Sequence, residues 1–129
     1  MILVLDTHPV VWFLEASSRL SSKAQQAISD PSSQLIIPSI VLAEITYLYE
    51  RKRIATPASE IRTRLIAANN VVVYPLDEQV VDKLPTALDI HDGIIVATAL
   101  LYRDVLRQEV AVVTKDEMIA GSGLINVIW

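Results

Sequence analysis

The chain is short, rich in aliphatic residues and acidic. It has 129 residues, of which 52% are hydrophobic and 5% aromatic, and 15 Asp and Glu against 11 Lys and Arg give a formal net charge of −4. This length is typical of one domain, and the apolar content excludes wholesale disorder, so we expect a single domain over residues 1–129. The acidic balance argues against a protein that coats DNA.

The rarer residue types exclude several kinds of site. The chain has no Cys, which excludes disulfides, thiolate nucleophiles and Cys-based zinc or iron–sulfur sites. Its three glycines form neither a Walker loop nor a dinucleotide-binding fingerprint. The first five residues lack the basic region of a signal peptide, and the longest apolar stretch, 94–102, is well short of the ~20 residues that span a bilayer. These features favour a cytoplasmic protein that does not enter a membrane.

Five short apolar runs predict strands, at residues 2–5, 35–37, 71–74, 110–113 and 125–128. They are β-branched and nearly continuous rather than alternating, which is typical of parallel strands covered on both faces. Helices are predicted between them. The starting points and approximate ends are Ser21 or Ser22 to 29, Ser39 to 52, Thr56-Pro57 to 68, Asp77 to a stop before Pro85, and Asp92 to 107. This alternation predicts an α/β fold, a three-layer α/β/α sandwich around a mostly parallel five-stranded sheet with right-handed crossovers.

Two acids follow predicted strands. Asp6 comes directly after the first strand, and Asp116 lies just beyond the fourth. In an open parallel sheet, ligands bind at the carboxyl ends of the strands, so both positions are candidate binding positions. Asp116 also has a simpler interpretation as a helix cap.

Two further acids lie on predicted helices beside apolar residues. Glu44 has Ile40, Val41, Tyr47 and Leu48 as its neighbours at i±3 and i±4. A carboxylate buried without a partner is costly, so this one should take up a proton or find a cation. Asp92 begins a helix with aliphatic residues on the same face, although an acid at a helix N-terminus can simply cap it or complement the dipole.

Together the four acids predict a metal site. If they converge at one edge of the sheet, their charges repel one another unless a divalent cation lies between them. Oxygen ligands favour Mg²⁺ or Mn²⁺, and such ions suit phosphate chemistry. We therefore predict that a metal-dependent phosphodiesterase uses Asp6, Glu44, Asp92 and Asp116.

Polar neighbours of these acids are candidates for supporting roles. Three hydroxyl groups, those of Thr7, Ser39 and Thr114, lie beside acids and can orient a carboxylate or a metal-bound water, although helix capping explains Ser39 equally well. Four basic residues are candidates for RNA contact, namely Arg51, Lys52, Arg53 and Lys115. The first three also have a simpler explanation, because cations are favourable at a helix C-terminus.

Five segments resemble the PIN-domain family, and within it the small toxin ribonucleases of VapBC-type toxin–antitoxin pairs. They are MILVLDTH at 1–8, IIPSIVLAEI at 36–45, DIHDGIIVATA at 89–99, VTKD at 113–116 and NVIW at 126–129. Each segment is short, but their order, spacing and flanking apolar residues are specific together. The resemblance covers essentially the whole chain.

The resemblance implies a PIN-like α/β/α fold and an endoribonuclease that depends on Mg²⁺ or Mn²⁺. The four acids would line the site and hold one or two metals, and hydrolysis by water would leave a 5′-phosphate and a 3′-hydroxyl. The substrate would be an RNA of the tRNA or rRNA class. The resemblance also implies a homodimer and a cognate antitoxin protein whose C-terminal segment enters the acidic pocket.

One departure from the family pattern keeps an alternative open. Many relatives have Arg directly after the third acid, where this chain has Gly93. This difference and the sparse basic residues motivate a second interpretation, a non-catalytic PIN-fold module that binds RNA or protein. A receiver-like phosphotransfer domain that is phosphorylated on Asp6 is a weaker third hypothesis, because such domains need paired acids after the first strand.

Overall fold

The computed structural model describes all 129 residues, which fold around one five-stranded sheet. The strands are β1 (Ile2–Leu5), β2 (Gln34–Pro38), β3 (Val71–Tyr74), β4 (Val110–Val113) and β5 (Asn126–Ile128). Their order is β3-β2-β1-β4-β5, and every neighbouring pair is parallel, so the sheet is parallel throughout. In the central register, Leu3 lies between Leu35 and Ala111.

Seven helices connect and cover the strands. They are α1 (Thr7–Leu14), α2 (Ser22–Ser29), α3 (Ser39–Glu50), α4 (Ala58–Ala67), α5 (Glu78–Asp82), α6 (Ile90–Asp104) and α7 (Glu117–Gly121). The chain moves outward from β1 to β3 and then returns to β4 and β5 on the other side of β1. Right-handed crossovers in these opposite directions place helices on both faces of the sheet. The predicted three-layer α/β/α sandwich is confirmed.

The core lies where α6 packs on the two central strands. Every residue of β1 and β4 is buried, and so are ten consecutive residues of α6, from Gly93 to Tyr102. Because both faces of the sheet are covered, these strands have continuous apolar sequences rather than alternating ones. Each fully buried aliphatic side chain stabilises the fold by about 1.5–3 kcal/mol. None of the helices is long and apolar enough to cross a membrane.

Two of the predicted helix caps are present. The Ser21 hydroxyl accepts a hydrogen bond from the Ala24 N–H at 3.1 Å and begins α2. The Asp77 carboxylate accepts one from the Val80 N–H at 3.0 Å and begins α5.

Two other cap predictions were wrong, because prolines precede the helices. Pro38 and Pro57 occupy the cap positions of α3 and α4 and offer no side-chain acceptor. Ser39 is instead the first residue of α3, and its hydroxyl accepts a hydrogen bond from the Leu76 N–H. Thr56 donates its hydroxyl hydrogen to the Glu15 carboxylate, a contact between distant parts of the chain that local sequence does not reveal.

The strand order creates a cleft at the carboxyl ends of β1 and β4. The connection after β1 leads to β2 on one side, whereas β4 lies on the other. At such a topological switch point the two connections diverge and leave a crevice that is the usual ligand site of open parallel sheets. The residues that follow β1 and β4 are Asp6 and Thr114.

Candidate active site

A hydrogen-bond chain joins the two central strands at this cleft. One oxygen of Asp6 accepts from the Thr7 N–H at 2.7 Å, and the other accepts from the Thr114 hydroxyl at 2.6 Å. The Thr114 hydroxyl in turn accepts from the Asp116 N–H at 2.9 Å. Thr114 is only 1% exposed, so a buried hydroxyl fixes the positions of two of the predicted acids relative to each other.

Asp116 acts as a helix cap and also contributes to the acidic group. One of its oxygens, Oδ1, accepts from the N–H groups of Met118 and Ile119 at 2.8 and 3.0 Å and begins α7. Its charge also raises the pKa of Asp92. The capping interpretation of Asp116 is therefore correct without removing the residue from the site.

Asp92 lies in the first turn of α6 and has an unfavourable environment for its charge. Burial first, then the negative charges of Asp116, Asp89 and Asp6, raise its pKa from 3.8 to about 6. The cap of α6 is Asp89, which accepts a hydrogen bond from the Asp92 N–H at 3.0 Å. The sequence had indicated that Asp92 begins the helix, and this prediction was wrong. Asp92 lies inside the helix, and its carboxylate is not needed as the cap.

Glu44 joins this group from α3. Burial raises its pKa, the charge of Asp6 raises it further, and Thr7 and the nearby His91 and His8 partly oppose the shift. The Thr7 side chain is 1% exposed, and its hydroxyl makes no regular hydrogen bond. That hydroxyl lies near Glu44 and lowers the pKa of its carboxyl, opposing the effect of burial.

No ion pair neutralises these charges, and only His91 and His8 partly offset that of Glu44. Both ion pairs of the structure involve Asp104, at the other end of α6. Asp6 acts on both Glu44 and Asp92, and Asp116 acts on Asp92, so the acids form one connected electrostatic group. We refer to Asp6, Glu44, Asp92 and Asp116 as the acidic cluster.

The donor atoms of the acidic cluster suit a divalent cation, but the side chains are not yet arranged to hold one. Its donors are carboxylate oxygens, the ligands that Mg²⁺ and Mn²⁺ prefer. As they stand, no three of the Asp, Glu and His side chains are grouped closely enough to hold one ion. Metal binding therefore requires the carboxylates to turn toward one another.

Comparison with known proteins identifies the family. Residues 3–121 match the family described as PIN domain. The chain belongs to the PIN domain family. The resemblance found in the sequence motifs is thus confirmed. A search of curated proteins gives no match to this PIN domain.

Two solved structures are similar to this PIN domain in fold. One is a toxin–antitoxin complex from Klebsiella pneumoniae, with 22% identity, a TM-score of 0.64, and coverage of 98% of this chain and 96% of that chain. The other is VapBC2 from Rickettsia felis bound to a DNA fragment from its promoter, with 16% identity, a TM-score of 0.65, and coverage of 98% and 97%. At these identities the likeness establishes the shared fold.

The other predicted residues of this PIN domain fall into separate places. Arg51 and Arg53 line a groove of about 540 Å³ that also includes Glu44. Lys52 instead lines a different hollow, with Tyr49 as a neighbour, and Lys115 is exposed next to Asp116. Ser39 contributes to a third cavity, between α3, α4 and β3.

The sequence analysis did not single out three residues that the structure brings to the site. Asp89 lies beside Asp92, and its place three residues earlier is the usual spacing of a cap. His91 lines the groove with Glu44, and its place next to Asp92 in the sequence was the available signal that it could ligate a metal or contact substrate. Tyr47 was assigned to an apolar face but is 63% exposed, and its spacing of four residues from Arg51 was the available signal.

Close packing explains why a glycine occupies position 93 of this PIN domain. A Cβ atom at this position would lie 3.3 Å from the backbone oxygen of Pro85 and 3.5 Å from the Leu84 side chain. The residue is buried where α6 passes under the segment after α5. A side chain at this position therefore requires the Pro85 backbone to shift by a few tenths of an ångström.

Proposed function

We propose that this PIN domain is a metal-dependent endoribonuclease and the toxin of a toxin–antitoxin pair. The single observation that carries the proposal is the acidic cluster at the switch point, in which burial and the charges of Asp6 and Asp116 raise the pKa values of Glu44 and Asp92 and no ion pair neutralises the four acids. The fold shared with two structures described as toxin–antitoxin assemblies supports it. Phosphodiester hydrolysis is the chemistry that a divalent cation held by such carboxylates serves best.

The acidic cluster would hold Mg²⁺ or Mn²⁺. When bound, the cation lowers the pKa of a water molecule and stabilises the negative charge that develops on the phosphoryl oxygens. Thr114 orients Asp6 and the Asp116 backbone through its two hydrogen bonds, while Thr7 lies against Glu44. Attack by water leaves a 5′-phosphate and a 3′-hydroxyl, as in the family that the motifs resemble.

We further propose the partners that belong with this activity. The substrate is an RNA of the tRNA or rRNA class, which Arg51, Arg53 and Lys115 contact through its phosphates. A cognate antitoxin protein inhibits the enzyme, and the chain acts as a homodimer in the cytoplasm. The neutralising cations at the cluster also explain how a chain with a net charge of −4 can bind RNA, because formal charge does not describe the metal-loaded cleft.

The direct test incubates the purified protein with tRNA and with rRNA fragments in Mn²⁺, in Mg²⁺ and in EDTA. We expect cleavage only with metal, and products that carry a 5′-phosphate. The variants Asp6→Ala and Asp92→Ala should each abolish cleavage while retaining the far-ultraviolet circular dichroism of the native protein. Cleavage that persists in EDTA, or that survives both substitutions, contradicts the metal mechanism.

A second candidate function is a non-catalytic module that binds RNA or protein. The observation in its favour is that no three side chains of the cluster are close enough to hold an ion together. RNA binding that is independent of metal, together with no turnover at any Mn²⁺ concentration, would support this function. Metal-dependent cleavage that Asp92→Asn abolishes rules it out.

A further inference from the structure

A groove with both acidic and basic residues extends from the acidic cluster. Its volume is about 540 Å³, within the range of small-ligand sites. Glu44, His91, Tyr47, Arg51 and Arg53 line it, together with three apolar residues of α3. We call it the Tyr47 groove. Because Glu44 belongs to both, the groove and the acidic cluster are continuous.

Tyr47 and Arg51 present flat groups at the end of α3. The Arg51 guanidinium lies 4.4 Å from the centroid of the Tyr47 ring, a cation–π arrangement that orients both side chains. The tyrosine nevertheless remains 63% exposed. An exposed aromatic ring next to an arginine plane is a surface on which an unpaired nucleobase can stack.

The charges of the groove match a nucleotide. Arg51 and Arg53 take part in neither of the two ion pairs of the structure, so their guanidinium groups are available for phosphate. Glu44 lines the groove and also belongs to the acidic cluster. A phosphate held by the arginines and a neighbouring phosphate at the cluster would belong to one RNA strand, with the intervening base beside Tyr47.

We propose that the Tyr47 groove binds one unpaired nucleotide next to the acidic cluster, with its base stacked on the Tyr47 ring and its phosphate held by the neighbouring arginines. The proposal rests on the proposed ribonuclease function. A base inside a duplex is already stacked and paired and cannot lie on the tyrosine ring, whereas an unpaired base can.

Binding is measured by fluorescence anisotropy in EDTA, so that no cleavage occurs. The probe is a short fluorescein-labelled RNA without secondary structure, compared with the same RNA annealed to its complement. We expect Tyr47→Ala to weaken single-strand binding by about 10-fold, because stacking of one base contributes ~1–3 kcal/mol. Tyr47→Phe should retain binding, since it keeps the ring.

Matched control variants lie nearby on the same helix end. Tyr49→Ala removes an exposed tyrosine of the separate hollow, and should leave binding unchanged. Arg53→Ala should weaken binding, while Lys52→Ala, which removes the same charge from that hollow, should weaken it less.

The outcomes separate this proposal from the ribonuclease function. If the wild-type protein binds the single strand through Tyr47 but never cleaves it, the groove proposal stands and the nuclease proposal fails. If it cleaves RNA while Tyr47→Ala behaves like Tyr49→Ala in both binding and cleavage, the groove proposal is wrong and a protein partner becomes the better occupant. Duplex binding as tight as single-strand binding also overturns it, and so does the absence of single-strand binding by the wild type both in EDTA and in Mn²⁺.

Discussion

Helix α6 carries an aspartate at each end, and the two experience opposite environments. Asp92, in the first turn, has its pKa raised to about 6 by burial and by the charges of Asp116, Asp89 and Asp6. Asp104, the last residue of the helix, has its pKa lowered by a hydrogen bond from Arg103 and by the charges of Arg103 and Lys83. The helix dipole alone predicts the reverse, because it stabilises an anion at the N-terminus and destabilises one at the C-terminus.

The comparison teaches that neighbouring groups outweigh the dipole in this protein. The dipole contributes ~0.3–1 kcal/mol and fades within one turn. Burial beside other carboxylates acts over the same short distance and in the opposite direction. Asp104 is a surface acid paired with cations, whereas Asp92 belongs to a group in which the cation must come from outside.

The largest expected difference between these two environments is in catalysis. Asp116→Asn keeps a cap oxygen for α7 but removes a charge from the acidic cluster, and we expect it to reduce RNA cleavage by on the order of 10²-fold or more. Asp104→Asn removes the same charge from the far end of α6 and should change cleavage little. Initial rates at saturating Mn²⁺ provide the measurement, and equal losses in the two variants would show that the cluster has no special role.

A smaller effect is expected from the hydroxyl that joins the acids. Thr114→Val removes the donor to Asp6 and the acceptor for the Asp116 N–H, so apparent Mn²⁺ affinity should fall by about 10-fold. Thr114→Ser should restore it. The control is Thr98→Val, because Thr98 is also 1% exposed but its hydroxyl bonds only to the Ile94 carbonyl. Rates measured as a function of Mn²⁺ concentration distinguish the two, and identical curves would contradict the positioning role.

The pH dependence of stability tests the electrostatics of Asp92 directly. The pKa of Asp92 is about 6 in the folded protein and 3.8 in the unfolded chain, so the fold favours the protonated carboxyl. The contribution of Asp92 to stability is therefore fully present below about pH 4 and is lost as the pH rises through 6 and the group ionises. In EDTA at pH 8, Asp92→Asn should therefore raise the free energy of unfolding by on the order of 1 kcal/mol, a value reduced by solvent screening of a partly exposed group. At pH 4 it should have little effect.

Asp104→Asn provides the opposite sign in the same experiment. Its lowered pKa makes the ionised form stabilising, so the substitution should lower stability at pH 8 and leave it unchanged in strong acid. Urea denaturation at pH 8, at pH 4 and in strong acid measures the two variants together. Stabilisation by both substitutions, or by neither, would contradict the assigned environments.

The smallest expected effect concerns the close packing around Gly93, the residue after Asp92. Gly121→Ala, in α7, adds a methyl group with nothing within 4 Å and should stabilise the protein by up to about 1 kcal/mol. Gly93→Ala has the same helix propensity gain, but its Cβ lies 3.3 Å from the Pro85 oxygen, so its melting temperature should be lower than that of Gly121→Ala. A higher melting temperature for Gly93→Ala than for Gly121→Ala would show that the segment after α5 moves aside easily.

Much of the fold could be predicted from the sequence, because its signals are local. The strand bounds at β1, β3 and β4 were predicted to the residue. In β1 and β4 the continuous β-branched runs report burial on both faces, whereas the run of the edge strand β3 is only partly buried. The cap predictions failed at Ser39 and Thr56, whose hydroxyls bond to Leu76 and Glu15 rather than to the adjacent helices. Such contacts depend on which segments meet in three dimensions, and no local pattern encodes them.

For the candidate site, the sequence by itself determined which chemical groups are available: four acids, no thiol and few cations. Only the tertiary structure decided how those acids act on one another. Strand order places Asp6 beside Thr114 and Asp116, and packing of α3 and α6 buries Glu44 and Asp92 near them. The physical reason is that carboxylates far apart in the chain change one another's pKa only through distance and burial, which the fold alone sets.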